Sequence, residues 1–144
     1  MERDEIMKDY YQKMTTALKM NIMADNDEMT LFKLCLRGQS PVDMHYYLFT
    51  PYIELMGTEE QKAKWLPLCK KLKIHGCYAQ TELGHGSNVA GLETTATFDE
   101  KTDEIVLNTP SITAYKFWPG ELGILANHAL VFARLISKGK DFGV

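Results

Sequence analysis

The sequence predicts an α+β chain whose two structural classes are segregated, helices first and strands second. Two observations carry the prediction. Apolar residues recur at spacings of three and four up to residue 73, and from Ile74 the period falls towards two. The stretch between these halves, Cys77 to Gly91, also holds glycines at Gly84, Gly86 and Gly91, which punctuate rather than continue a helix. Residues 1–73 are therefore read as a helical segment and residues 74–144 as a β domain. An apolar strand followed by only a turn leaves a sheet short of partners, so the β domain is expected to be incomplete.

Each element has its own signal. The first helix is predicted from Glu2 to about Met23, with Met7, Tyr11, Met14, Leu18 and Ile22 as its apolar stripe and acidic residues in its first turn. Asp25-Asn26-Asp27 offers caps for a second helix, and Gly38 a stop. The eight methionines suit core filling or a Met-rich groove, the former being the usual role. Ser40-Pro41 opens a third helix as N-cap and first helical residue. Val42 to Met56 is apolar nearly all round, which predicts burial between layers or against another chain, and Pro51 should bend or split it. Thr58-Glu59-Glu60-Gln61 is a capping box for a fourth helix through about Lys73. Trp65, Leu66, Leu68, Cys69 and Leu72 are its inward face, and its lysines read as a solvated face or an anion patch.

Strands follow. Ile74 to Glu82 is the first. Thr94 to Phe98 and Glu104 to Asn108 form a hairpin about the turn Asp99 to Asp103, and Pro110 ends the pairing. Ile112 to Phe117 is expected as a short strand leading into Trp118-Pro119-Gly120. His128 to Ile136, apolar and β-branched, is read as one strand, and Ser137 to Val144 as a turn and the start of another element.

Bulk properties exclude several classes. A net charge of -3 opposes a nucleic-acid role, for which a basic field is expected. No apolar run approaches the roughly 20 residues that span a bilayer. The N-terminal residues lack the order of a signal peptide, and the last residues carry no Ser-Lys-Leu address. Cys35, Cys69 and Cys77 are odd in number and widely spaced, which predicts reduced, buried thiols in an intracellular setting. His45, His75, His85 and His128 lack metal-ligand spacing.

The glycine-rich stretch is the candidate site. Glycine lets backbone approach a ligand without a Cβ in the way, and Thr81, Ser87 and Asn88 supply short polar groups beside it. Gly84-x-Gly86 is not a dinucleotide fingerprint, because the third glycine falls at Gly91 and no suitable helix follows. Glu82 and His85 are available as an acid–base pair, although a carboxylate beside such a loop more often accepts from backbone amides. Trp118, ahead of Pro-Gly, is read first as a packing residue and second as a cofactor contact.

Tyr78-Ala79-Gln80-Thr81-Glu82-Leu83-Gly84-His85-Gly86-Ser87-Asn88-Val89 resembles the acyl-CoA oxidase family, as do Gly91-Leu92-Glu93-Thr94-Thr95-Ala96-Thr97-Phe98-Asp99 and Lys116-Phe117-Trp118-Pro119-Gly120. Gly57-Thr58-Glu59-Glu60-Gln61 and Lys64-Trp65-Leu66-Pro67-Leu68 resemble the helix preceding that motif. The resemblance runs from about Pro41 onward and implies an N-terminal helical domain, a β-barrel-like middle domain and later helical domains. It implies an FAD enzyme that desaturates fatty acyl-CoA to trans-2-enoyl-CoA and passes electrons to oxygen as hydrogen peroxide, in peroxisomal dimers. By the same resemblance Tyr78, Ala79, Gln80, Thr81, Gly86, Ser87 and Gly120 contact the flavin, and no metal is involved. The chain departs from the family at Ala90 and at Ile124-Leu125-Ala126. The family's catalytic base is a glutamate in a later helical domain, so no catalytic residue is expected here. The other expectation is an inactive oxidase-like remnant acting as a structural or interaction subunit.

Overall fold

The computed structural model describes residues 2–22, 26–36 and 40–144, with Asn26 and Met29 described in their backbone only. Asp25 and Gly38, the expected cap and stop of the second helix, lie outside the described residues. The chain forms two compact units, Met1–Ile74 and His75–Val144.

The first unit is helical. Helix α1 runs Arg3–Lys19, and Glu2 and Glu5 cap its start reciprocally. It stops short of Met23 because Asn21 takes a left-handed conformation (φ 55°). The Asn21 amide then donates to the Leu18 carbonyl and the Ile22 amide to that of Ala17, which satisfies the last carbonyls. Tyr10, Met14 and Ala17 are the buried face, one residue round from the expected stripe. Tyr10 and Met14 pack with Val42, and Tyr11, Phe32, Leu36 and Tyr46 flank them. Helix α2 is Asn26–Cys35.

The third helical segment is not a uniform helix. Its Ser40 cap is present, with the Val42 amide donating to Ser40 Oγ at 3.2 Å. A π-helical stretch, His45–Phe49, then leads into α3, Thr50–Met56. Pro51 lacks an amide donor and its ring crowds the carbonyl four residues back, and a widened turn just before it relieves both demands. Within this chain the segment is buried on one side only, so burial between its own layers is not found. Val42, His45, Phe49 and Thr50 are buried, whereas Tyr47, Leu48, Leu55 and Met56 are exposed. Helix α4, Glu59–Lys70, begins at the expected box, with the Gln61 amide donating to Thr58 Oγ1 (3.2 Å) and the Thr58 amide to Gln61 Oε1 (2.9 Å). It ends before Lys73 as α1 ends, with Leu72 left-handed (φ 51°) and the Lys73 amide donating to the Leu68 carbonyl. Among the described residues no helix is long and apolar enough to cross a membrane.

The second unit holds two sheets. Strand β1, Gly76–Ala79, pairs in parallel with β4, His128–Val131, with Gly76 opposite His128 and Ala79 opposite Val131. Strands β2 (Thr95–Asp99), β3 (Glu104–Asn108), β5 (Arg134–Ser137) and β6 (Lys140–Asp141) form the other sheet in the order β3-β2-β5-β6. The β2–β3 hairpin has the expected antiparallel register, Thr95 opposite Asn108 and Asp99 opposite Glu104. No closed barrel forms from these strands.

Three strand expectations are corrected. The first strand ends at Ala79 rather than Glu82, because Glu82 belongs to a polar network rather than to a sheet. Residues 112–117 are not a strand. They turn twice, through Ala114 N to Ser111 O and Tyr115 N to Ile112 O, and only Lys116 forms a bridge, with Glu82. His128 to Ile136 is two strands in two different sheets, broken at Phe132 and Ala133. The thiols also differ from expectation, since Cys69 and Cys77 are buried but Cys35 is exposed.

Candidate functional site

The candidate site lies within the second unit and is built outward from one buried carboxylate. Glu82 is 2% exposed, and its side chain receives four donors. The amides of Glu93 (2.8 Å) and Thr94 (2.9 Å), the Thr94 hydroxyl (2.5 Å) and the Lys116 ammonium (3.0 Å) all point at it. Burial alone would push its pKa up, but the Thr94 hydroxyl, the two amides and Lys116 outweigh that and hold it below the usual glutamate value. Glu82 is therefore an anion that closes the loop from residue 82 to 94. The acid–base pairing with His85 is not formed through side chains. The two residues exchange backbone hydrogen bonds, and the Glu82 carboxylate takes the amide-binding role.

A short ladder fastens this loop to the segment that precedes Trp118. Leu83 N donates to Tyr115 O (2.9 Å), Gly84 N to Thr113 O (2.9 Å) and Phe117 N to Thr81 O (2.9 Å). The glycine-rich loop and the Trp-Pro-Gly turn thus share one hydrogen-bonded frame. A second carboxylate, Glu93, supports its outer edge, accepting from Ser111 Oγ (2.6 Å), Thr113 Oγ1 (2.8 Å) and His85 Nε2 (2.9 Å). The Ser111 hydroxyl, then His85 and the Thr113 hydroxyl, lower its pKa to about 2.

The three loop glycines answer to different demands. A Cβ on Gly84 would lie 2.8 Å from Thr113 Cβ, so the fold requires glycine there, whereas one on Gly91 would meet only the amide end of the exposed Asn88 side chain, which can swing aside. A Cβ on Gly86 would meet nothing within 4 Å, and its backbone is not left-handed. Neither packing nor backbone conformation within the chain calls for glycine at that position.

Tyr78 and Ala79 sit at the end of β1, opposite Leu130 and Val131. Ala79 is buried, and the half-buried Tyr78 ring lies 5.0 Å from that of Phe132, its hydroxyl donating to Gln80 Oε1 at 2.8 Å. Gln80 and Thr81 leave the strand end directly, Gly86 and Ser87 follow on the loop, and Gly120 lies on the turn after Trp118. Among the described residues the hydroxyls of Thr81 and Ser87 carry no hydrogen bond. Trp118 does not pack within this chain, being 76% exposed with a left-handed backbone (φ 50°), and Glu121 beyond Gly120 is left-handed too (φ 70°). The same left-handed conformation ends α1 at Asn21 and α4 at Leu72, and here it marks the reversal of the chain around Gly120. Sequence reasoning missed Glu93, Thr94 and Lys116 as a network. Each is an ordinary surface residue type, and only the partners, distant in sequence, reveal their work. Among the described residues no group of three or more acidic, histidine or cysteine side chains could hold a metal.

Comparison with known proteins is consistent across three kinds of evidence. A family model described as acyl-coenzyme A oxidase N-terminal matches residues 1–75. The chain is 50% identical over its whole length to a peroxisomal acyl-coenzyme A oxidase 1 of Arabidopsis thaliana, of which it spans 22%. It is 49% identical over 85% of its length to the Homo sapiens peroxisomal acyl-coenzyme A oxidase 1, of which it spans 19%. In structure it is similar to an Arabidopsis thaliana acyl-CoA oxidase 1, with TM-score 0.88 and 50% identity over 99% of this chain and 22% of that one. It is also similar to a Caenorhabditis elegans acyl-CoA oxidase-1 complexed with FAD and ATP, with TM-score 0.91 and 41% identity over 99% of this chain and 23% of that one. The chain thus spans about a fifth of the relatives it matches.

Proposed function

Because the chain belongs to the acyl-coenzyme A oxidase family and matches its N-terminal part, we propose that it supplies a flavin-facing wall of an FAD-dependent acyl-CoA oxidase. Tyr78, Ala79, Gln80 and Thr81 would hold the cofactor from the strand end, Gly86 and Ser87 from the loop and Gly120 from the Trp-Pro-Gly turn. The observation that carries this reading is Gly86, where a Cβ would meet nothing within 4 Å, next in sequence to Ser87, whose hydroxyl, like that of Thr81 at the strand end, carries no hydrogen bond. Close backbone approach and short donors are what a flat, polar-edged ring needs. A relative's structure contains FAD, which supports the choice of cofactor.

The chemistry such a cofactor supplies when bound is acceptance of two electrons from a fatty acyl-CoA, giving trans-2-enoyl-CoA, and their delivery to oxygen as hydrogen peroxide. This chain's own part is to bind and orient. Thr81 and Ser87 donate hydrogen bonds, Gly86 and Gly120 keep side chains out of the contact, and Glu82 keeps the loop in one shape. Neither Glu82 nor Glu93 is suited to remove a substrate proton, since three or more donors occupy each carboxylate and lower its affinity for a proton. The relatives are named as peroxisomal, which supports that compartment for this chain, with fatty acyl-CoA and oxygen as partners and a second copy or other chains completing the fold.

Titration of the purified chain with FAD, followed by flavin fluorescence and visible absorbance, tests the reading. Stoichiometric uptake with a perturbed visible band is expected, together with no acyl-CoA-dependent peroxide from the chain alone. A protein that takes up no flavin overturns the cofactor role and favours the structural-subunit alternative. Measured turnover overturns the claim that the chain lacks a catalytic base.

A further inference from the structure

Resting on that reading, we propose that Lys116 is a positioning residue, whose ammonium holds the Gln80–Thr81 strand end in its cofactor-facing conformation. A lysine ammonium has three protons and no acceptor capacity. In Lys116 all three are used, two on the stretch that leaves β1 and one on the end of β4. Gln80 O lies at 3.0 Å, Phe132 O at 2.6 Å and Glu82 Oε1 at 3.0 Å. The side chain is 14% exposed and that of its partner Glu82 is 0% exposed, so the ion pair is shielded from water and from screening.

The position of these acceptors gives the lysine its role. Strands β1 and β4 run in parallel up to Ala79 and Val131, and Phe132 N still donates to Ala79 O at 3.1 Å. One residue later the backbone ladder stops. The carbonyls of Gln80 and Phe132, one from each strand end, both turn to the Lys116 ammonium. Beyond that point Arg134 N donates to Thr94 O at 2.8 Å, and the chain enters the other sheet. Lys116 thus takes over where β-pairing ends and absorbs two part-buried carbonyls that the divergence would leave without a donor from the partner strand. Its backbone neighbour Phe117 donates to Thr81 O, and this adjacent bond ties the strand end to the segment that leads to Gly120.

The test uses the 144-residue chain and two variants, Lys116→Met and the double variant Glu82→Gln/Lys116→Met, which leaves no buried carboxylate without its cation. Amide hydrogen exchange reads the local effect, and titration with FAD reads the functional one. In either variant the amides of Leu83, Phe117 and Phe132 should lose at least about tenfold in protection while those of the β2–β3 hairpin keep theirs. FAD should bind about tenfold or more weakly, with its visible band returned towards that of free flavin. Unchanged local protection and unchanged FAD affinity in the double variant would overturn the proposal, and so would an equal loss of protection in the hairpin, which marks a merely global effect. If the wild-type chain takes up no FAD, the cofactor reading fails on its own, and the exchange contrast still decides whether Lys116 holds the strand end.

Discussion

The carboxylate of Glu82 accepts two hydrogen bonds from one residue, Thr94, through its amide at 2.9 Å and its hydroxyl at 2.5 Å. The two residues are 12 apart in sequence, so the contact closes the glycine-rich loop at its base. The Thr94 hydroxyl is shared with the Ala114 carbonyl at 3.1 Å, which draws the segment before Trp118 to the same point. A loop of this length, with only the short 3-10 turn Val89–Gly91 in it, keeps one shape only if its buried polar groups are matched in this way.

Glu82→Ala should therefore destabilise the second unit by about 3–5 kcal/mol, the usual cost of leaving one partner of a buried ion pair alone. Urea unfolding followed by hydrogen exchange at Leu83 and Thr94 measures it. A loss below about 1 kcal/mol would show that water replaces the carboxylate without penalty.

Alanine substitution should separate the glycines. Gly84→Ala forces a Cβ to within 2.8 Å of Thr113 Cβ and should cost about 1–3 kcal/mol through overpacking. Gly86→Ala meets nothing within 4 Å and should change stability by less than about 0.5 kcal/mol, while weakening FAD uptake severalfold. Thermal melts and flavin titration of the two variants decide it, and equal destabilisation by both would remove the special status of Gly86.

Tyr46→Phe should leave the first unit as stable or raise its stability by up to about 1 kcal/mol, which corresponds to a few degrees in Tm. The Tyr46 hydroxyl is buried with no partner among the described residues, and burial, with the nearby Tyr11 and Tyr10, pushes its pKa well above the usual tyrosine value. Removing the hydroxyl deletes an unmatched polar atom and no hydrogen bond. A marked fall in Tm would reveal a bound water as its partner.

Acid should loosen the second unit in a defined window. The folded pKa of Glu93 is about 2 against an ordinary 4.5, so its contribution is fully present above pH 4.5 and is lost as pH falls through that range towards 2. Glu82 is shifted in the same direction and adds to the slope. His75, whose burial lowers its pKa from 6.5, favours the folded state less as pH falls below 6.5, because the unfolded chain takes up the proton first. Stability measured from pH 7 to 2 should decline slightly below 6.5 and steeply below 4.5, and Glu93→Gln should flatten the steep part. A variant profile parallel to the wild type would exclude Glu93 as its source.

Much of this was legible in the residues because it is local. The capping box of Thr58 and Gln61 spans four residues, and the β2–β3 hairpin needs only its turn and its alternation. The order of helices before strands follows from the change of period at Ile74. The motif around Gly86 could be read against a known family without any structure, because its residue types and spacings are specific.

Sequence alone determined the class of each half, the helix start at Thr58 and the family of the glycine-rich stretch. Only tertiary structure decided that His128 to Ile136 divides between two sheets, that residues 112–117 form a frame rather than a strand, and that Gly84 is the loop glycine the packing demands. It also decided the charge state of Glu82. The reason is range. Local signals act within a few residues, whereas Lys116 reaches its three acceptors across 36, 34 and 16 residues. A strand is ended there by where a distant ammonium sits, and no periodicity in residues 128–136 encodes that.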